Sequence, residues 1–346
     1  MKAVVDAPDD AATSFDQPRG VMARVQHVLH KYPAISPALV LLLSCIVFTI
    51  VGKGRFQRPE TLGIILQQAA VLAALAIGQT LIILTAGVDL SVGTAMLLVH
   101  LVIAKMAVDH GVPPLLALLI GMVVGIALGS FNGFLVTKVG LPPFIVTLGT
   151  FYIYGALGLI YSQAQTISKE DLGGDHSLLL WTGRQISIGA MKITTGVLFV
   201  LVLYIVFNFI LSNTAWGRHV YATGDDKEAA RLAGINVNRV LMSVYVVAGA
   251  LYCAGGWVQL GRSLSASSNA ATDINLESIT AVVIGGTSLF GGRGRLWGTL
   301  IGALFVSVFR IGLSLAGVNP YYQNFAIGAL ILVAVTLDQW IRRVGK

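Results

Sequence analysis

Leu62-Gly-Ile-Ile-Leu-Gln-Gln-Ala-Ala-Val-Leu-Ala-Ala-Leu-Ala-Ile-Gly-Gln-Thr-Leu-Ile-Ile-Leu-Thr85 runs for 24 residues without one ionisable side chain. A helix needs roughly 20 apolar residues to cross a bilayer, so this run alone is long enough. The rest of the chain repeats the pattern. Of its 346 residues 55% are hydrophobic and only 11% charged, against about 25% charged in an average soluble domain. In lipid every backbone polar group must be satisfied within the protein, which admits helical bundles and closed barrels. No period-2 alternation of barrel strands is evident, so the sequence predicts an all-α, polytopic membrane bundle of about ten helices. The predicted spans are 37–52, 62–85, 92–108, 114–136, 144–161, 193–212, 240–260, 277–290, 296–316 and 321–341. They form one transmembrane domain over 37–341, between a polar tail over 1–36 and a short end over 342–346. The apolar run from Ala38 starts too late for a cleavable signal peptide and reads as the first span.

The net charge of +7 raises nucleic acid as a partner, but most basic residues sit at segment ends, where membrane topology places them. With both termini in the cytoplasm, the inner sections hold 14 Lys and Arg, the outer sections 8, and Arg310 is left inside a span. That bias favours the stated orientation, although Lys53, Arg55 and Arg58 run against it. Cys45 and Cys253 both fall in apolar segments and read as packing residues. The outer loop over 162–192 is the longest external section and offers a surface to an external partner.

Two links between apolar stretches lack a long polar linker: Thr85-Ala-Gly-Val-Asp-Leu-Ser-Val-Gly93 and Ile284-Gly-Gly-Thr-Ser-Leu-Phe-Gly-Gly292. Interrupted short segments of this kind point to discontinuous helices around a site. Asp89 is placed to cap the third helix at Ser91-Val92, with direct contact to a solute as the alternative. Gly121, Gly125, Gly129 and Gly133 recur every four residues, as do Gly298 and Gly302, which lets neighbouring backbones approach closely. Gln67, Gln68, Gln79, Asn132, Thr147, Thr150, Asn208 and Gln323 place uncharged donors and acceptors at membrane depth, suited to hydrogen bonds between helices or to a hydroxylated solute. Arg310, in the outer half of the ninth span, is costly there and reads as either functional or reaching to the outer surface. No Asp or Glu occupies the middle of a span, which argues against an ion-driven carrier. The candidate path residues are therefore Gln79, Asp89, Ser91, Asn132, Thr147, Arg310 and Gln323.

Between the sixth and seventh spans lies a charged loop over 213–239. Its centre reads Gly224-Asp-Asp-Lys-Glu-Ala-Ala-Arg-Leu-Ala-Gly-Ile235. Together with Gly87-Val-Asp-Leu-Ser-Val-Gly93, Leu141-Pro-Pro-Phe-Ile-Val-Thr-Leu-Gly149 and Ile284-Gly-Gly-Thr-Ser-Leu-Phe-Gly-Gly-Arg-Gly294, it resembles the permease subunits of the ribose/xylose/arabinose/galactose class of bacterial ABC sugar importers. Within that class the stretches Asn213-Thr-Ala-Trp-Gly-Arg218, Tyr221-Ala-Thr-Gly-Asp-Asp226, Glu277-Ser-Ile-Thr280 and Asp338-Gln-Trp-Ile-Arg342 look most like fructose-type permeases; ribose and myo-inositol permeases share much of the pattern.

The resemblance implies an inner-membrane homodimer of ten-helix subunits, with spans two to five and seven to ten related as an inverted repeat. It also implies a separate ATPase that uses ATP and magnesium, a periplasmic sugar-binding protein, and inward movement of a monosaccharide. On that basis Asp225, Asp226, Glu228, Ala229, Ala230 and Gly234 form the ATPase-coupling helix. Ala229 and Ala230 allow close approach, Glu228 pairs with a basic partner, and Gly234 permits the turn out. The chain itself has no phosphate loop of the Gly-x-x-x-x-Gly-Lys-Ser/Thr type, no zinc spacing and no nucleophile elbow. It is therefore expected to be a transport subunit without a cofactor or metal of its own, and not an enzyme. A polyol permease, a branched-chain amino acid permease, a secondary carrier and a membrane scaffold are the competing readings.

Overall fold

A computed structural model describes residues 35–52, 54–168, 170–172, 177–268 and 273–343. The tail predicted over 1–36 falls almost wholly outside these residues, as do Lys53 and 344–346. The long apolar stretches fold as helices: α1 (Ile35–Val51), α2 (Pro59–Leu84), α3 (Val92–Val108), α4 (Pro114–Phe134), α5 (Pro143–Ser162), α6 (Thr195–Asn213), α9 (Val237–Ser263), α10 (Ile274–Ile284), α11 (Leu296–Leu315) and α12 (Pro320–Arg343). Two short amphipathic helices, α7 (Ala215–Asp225) and α8 (Lys227–Leu232), fill the charged loop. Proline at the first turn starts α2, α4 and α5, where its missing N–H has no helical partner to lose. A π-helical turn, Leu135–Val139, prolongs α4 until Gly140 ends it at φ +81°.

Six of these helices are long and apolar enough to cross a membrane: α2, α4 with its π turn, α5, α6, α9 and α11. α10 departs from the predicted 277–290. It starts at Ile274 and stops at Ile284, because Gly285 and Gly286 follow and Gly286 takes φ +83°. At 1.5 Å per residue its 11 residues cover about 16 Å, roughly half of a bilayer's hydrocarbon thickness.

One part is not helical. In the loop before α6 Gln185–Ile188 (β1) pairs antiparallel with Met191–Thr194 (β2), Ile188 opposite Met191. The stretch does alternate, Gln-Ile-Ser-Ile then Met-Lys-Ile-Thr. Gly189 alone in its turn takes a positive φ, +61°, as a type II′ hairpin requires. The all-α expectation is corrected here, since a period-2 pattern of four residues per strand is short enough to escape notice beside 20-residue apolar runs. β2 runs directly into α6, so the sixth helix starts at Thr195 rather than 193.

α2 and α9 lie at the centre, each two-thirds buried over its most apolar window. The glycine stripe of α4 is what brings α9 in. A Cβ on Gly125 would strike the Gly249 carbonyl, and one on Gly129 the Tyr245 carbonyl, both on α9. Gly298 and Gly302 on α11 similarly face the backbone of Gly285 and Ala281. The outward faces of α5 and α6 are apolar: Ile145, Tyr152, Ile160, Val202 and Phe209 are exposed. Such a surface suits hydrocarbon rather than water.

Candidate functional site

Two breaks in the helices meet at one end of the bundle. α2 ends at Leu84, and Ala86 turns the chain with φ +59° into the link that leads to α3. α10 ends before a glycine loop in which Gly286, Gly291 and Gly292 all have positive φ. The Gly292 N–H donates to the Leu84 carbonyl at 3.0 Å, joining the two breaks. Into this joint fits the end of α7. A Cβ on Gly224 would overlap the Leu84 carbonyl and lie 2.7 Å from the Gly292 nitrogen. Tyr221, one turn earlier, donates its hydroxyl to the Gly294 carbonyl at 2.9 Å.

From that seat α8 projects outward. Asp226 caps it by accepting from the N–H groups of Glu228 at 2.8 Å and Ala229 at 3.0 Å. Gly234, at φ +82°, ends it with the Ile235 N–H bonded to the Ala230 carbonyl, a Schellman closure. The two alanines separate. Ala230 is buried against Val237 and Leu241, whereas Ala229 is exposed. Glu228 pairs with Arg231 of its own helix at 2.6 Å, on the exposed side. Asp225 is also exposed, and its backbone packs against Gly292. Beside them Leu232 is 91% exposed; a leucine at the tip of a charged six-residue helix has no packing reason to be there. The charged context drew attention away from it.

Four of the candidate path residues come together in a buried network. Asp89, fully buried, accepts from the Ser91 N–H and hydroxyl, each at 2.6 Å, and from the Tyr252 hydroxyl of α9. The Asn132 amide of α4 donates to the Ser91 hydroxyl at 3.0 Å, and Tyr154 of α5 donates to the Asn132 carbonyl oxygen at 3.2 Å. The Thr147 hydroxyl donates to the Val88 carbonyl at 3.0 Å. The carboxylate thus ties α3, α4, α5 and α9 around the first break, and Tyr252 and Tyr154 are members that the sequence did not single out. Gln79 stands apart: it is fully buried, and neither of its amide atoms has a partner among the described residues.

The other two lie elsewhere. Gln323 donates to the Val318 carbonyl at 2.8 Å, closing the start of α12. Arg310 forms an ion pair with Glu277 of α10 and a longer one, 3.4 Å, with Asp273. Glu277 is nearly buried, at 4% exposure, and its place one turn into α10 explains why a span predicted to begin at 277 hid its role. Among the described residues, no cluster of three or more His, Cys, Asp or Glu is arranged to hold a metal.

At the end of the bundle that carries the hairpin, a cavity of about 540 Å³ opens between α2 and α9, lined by Ile64, Gln67, Gln259, Arg262, Ser263 and Ser265 among others. The hairpin borders it, since the Lys192 carbonyl accepts from Gln67 at 2.9 Å and packs against Gly63. Gly183 and Gly261 meet backbone to backbone beside it. Gln259 and Arg262 were absent from the candidate list, although a search for amides within spans applied to 240–260 would have found Gln259.

The family model described as "Branched-chain amino acid transport system / permease component" matches residues 61–335. A fructose import permease protein of Rhizobium meliloti is 44% identical over 344 residues, covering 99% of this chain and 96% of that protein. A ribose import permease protein of Bacillus subtilis is 37% identical over 305 residues, 88% of this chain and 92% of its own length. A D-allose transport system permease protein of Escherichia coli is 34% identical over 307 residues, 88% and 91% respectively. No solved structure matches the chain.

Proposed function

The chain belongs to the transport-system permease family whose model spans residues 61–335, and from that membership we propose that it is the membrane subunit of an ATP-driven ABC importer moving a monosaccharide inward, fructose first and ribose next. It is a multi-pass membrane protein of a transporter family. The observation that carries the sugar assignment is kinship over 99% of the chain at 44% identity to a fructose import permease. The family's description mentions amino acids, but the relatives named above are sugar permeases. A zwitterionic amino acid would need a fixed charge pair to receive it, whereas Arg310 and Glu277 already neutralise each other. Polyols such as myo-inositol remain within the same chemistry.

In this reading two copies pair in the bacterial inner membrane, each with ten crossings, an inverted repeat and both termini in the cytoplasm. A periplasmic binding protein delivers the sugar. A separate ATPase, using ATP and magnesium, docks on α8. Two features support that docking: the exposed Leu232, and the seating of α7 on both helix breaks, which gives α8 a mechanical route into the bundle. ATPase closure moves α7 and α8 as one body and switches access at the breaks. Leu232→Asp should weaken capture of the ATPase by the purified permease about tenfold, by placing a charge in a docking groove; unchanged capture would remove α8 as the contact.

The function itself is tested by labelled fructose uptake into vesicles carrying the intact assembly, with ribose, myo-inositol and leucine as competitors. We expect uptake that needs ATP and is suppressed by excess fructose but not by leucine. Uptake without ATP would overturn the importer reading, and competition by leucine alone would replace the sugar with an amino acid.

A further inference from the structure

We propose that the outer cavity between α2 and α9 is a binding site for a neutral polyhydroxylated solute, with Gln259 as its specific hydrogen-bonding floor. The inference rests on the sugar-permease reading and deepens it by assigning residues to the solute.

Three observations carry it. The first is size: at about 540 Å³ the cavity falls within the range of roughly 300–1,000 Å³ typical of small-molecule sites. The second is Gln259. The residue is only 3% exposed to the surface and lines the cavity. An amide both donates and accepts, as a hydroxyl does, so one sugar hydroxyl can satisfy either of its ends.

The third is the arrangement of the remaining groups. Gln67 donates its NH₂ to the Lys192 carbonyl at 2.9 Å, which orients its side chain and leaves its carbonyl oxygen to accept from a solute. Arg262 donates to the Gln68 carbonyl oxygen, and a guanidinium has five N–H donors, so others remain. Ile64 supplies the apolar wall against which the C–H face of a sugar ring packs. Among the described residues, Arg262 is the one charged side chain in the lining, and Glu277, itself paired with Arg310, opposes its charge. A site whose fixed charges cancel favours a neutral solute over an anion or a cation.

The hairpin gives the site its rigidity. Lys192 fixes Gln67 from above, while Thr182 donates to the Trp257 carbonyl at 2.8 Å and Trp181 stacks on Trp257 with centroids 5.7 Å apart. Both wall helices are thus anchored to the same outer element, so the distance between Gln67 and Gln259 is held before any solute arrives.

The test uses the complete importer in vesicles. Gln259→Leu keeps the volume and removes the amide; fructose uptake should fall about tenfold, the loss of one hydrogen bond to the solute. Independently, Ser265→Cys places a thiol at the cavity with Gln259 intact. Its labelling by a membrane-impermeant maleimide should slow at least about threefold in millimolar fructose and not in leucine, as occupancy of a pocket lined by it requires. Labelling indifferent to fructose, in an assembly that imports fructose, overturns this site and leaves the permease reading standing. An assembly that imports leucine instead of fructose overturns both.

Discussion

Gly224→Val permease is expected to insert as the wild type does, yet to import fructose at less than about one-tenth of the wild-type rate. Gly224 has no room for a side chain: a Cβ there meets the Leu84 carbonyl of one helix break and the Gly292 nitrogen of the other. Added bulk at a packed joint costs about 1–3 kcal/mol, and that cost is relieved by lifting α7 away from the breaks. Every 1.4 kcal/mol is a factor of ten in the population of the seated arrangement. α8 then still reaches an ATPase, because Asp226, the Gly234 turn and Leu232 are untouched. The signature is therefore uncoupling, with ATP hydrolysed at the basal rate and no longer stimulated by sugar. Gly224→Ala should show the same signature in weaker form. Wild-type uptake by the valine variant would mean that α7 transmits nothing through this joint.

The second large effect falls on stability. Asp89→Leu should lower the melting temperature of the purified permease by about 10 °C, from a loss of about 3–5 kcal/mol over three unpaired donors at about 2–4 °C for each kcal/mol. The carboxylate accepts from the Ser91 N–H, the Ser91 hydroxyl and the Tyr252 hydroxyl. Leucine leaves all three donors buried and unpaired, at about 1–3 kcal/mol apiece before relaxation. Tyr252→Phe removes one donor and leaves the other two bonds in place, so its effect should be several times smaller. Equal melting of the leucine variant and the wild type would show that the network contributes nothing net.

The helices were legible because an apolar run of 20 or more residues has few alternatives in lipid. Their ends were less so. α10 stops at Ile284 because of the backbone angle of Gly286, and the run Leu289-Phe290 beyond it looked like more of the same span. Local chemistry at Asp89 and Gly234 could be read from neighbours two to four residues away. Partners remote in the chain could not: Tyr252 lies 163 residues from Asp89, and Leu84, Gly224 and Gly292 meet only in three dimensions. The glycines were noticed as breaks, but nothing in their spacing says that the charged loop packs onto them. Arg310 posed a choice between solute and lipid surface, and its ion-pair partners Glu277 and Asp273 are likewise remote in the chain.

The shortness of α10 sets the length of stroke that the machine needs. Glu277, paired with Arg310, is its fourth residue, and the glycine joint follows its last. From Glu277 to that joint the helix runs for about 12 Å, against the roughly 30 Å of hydrocarbon in a bilayer. A thin barrier can be opened on one side and sealed on the other by displacements of a few ångströms, and a six-residue lever such as α8 can deliver motion of that size. The same thinness leaves little margin against leakage, which makes the tight glycine packing along α11 as much a seal as a hinge.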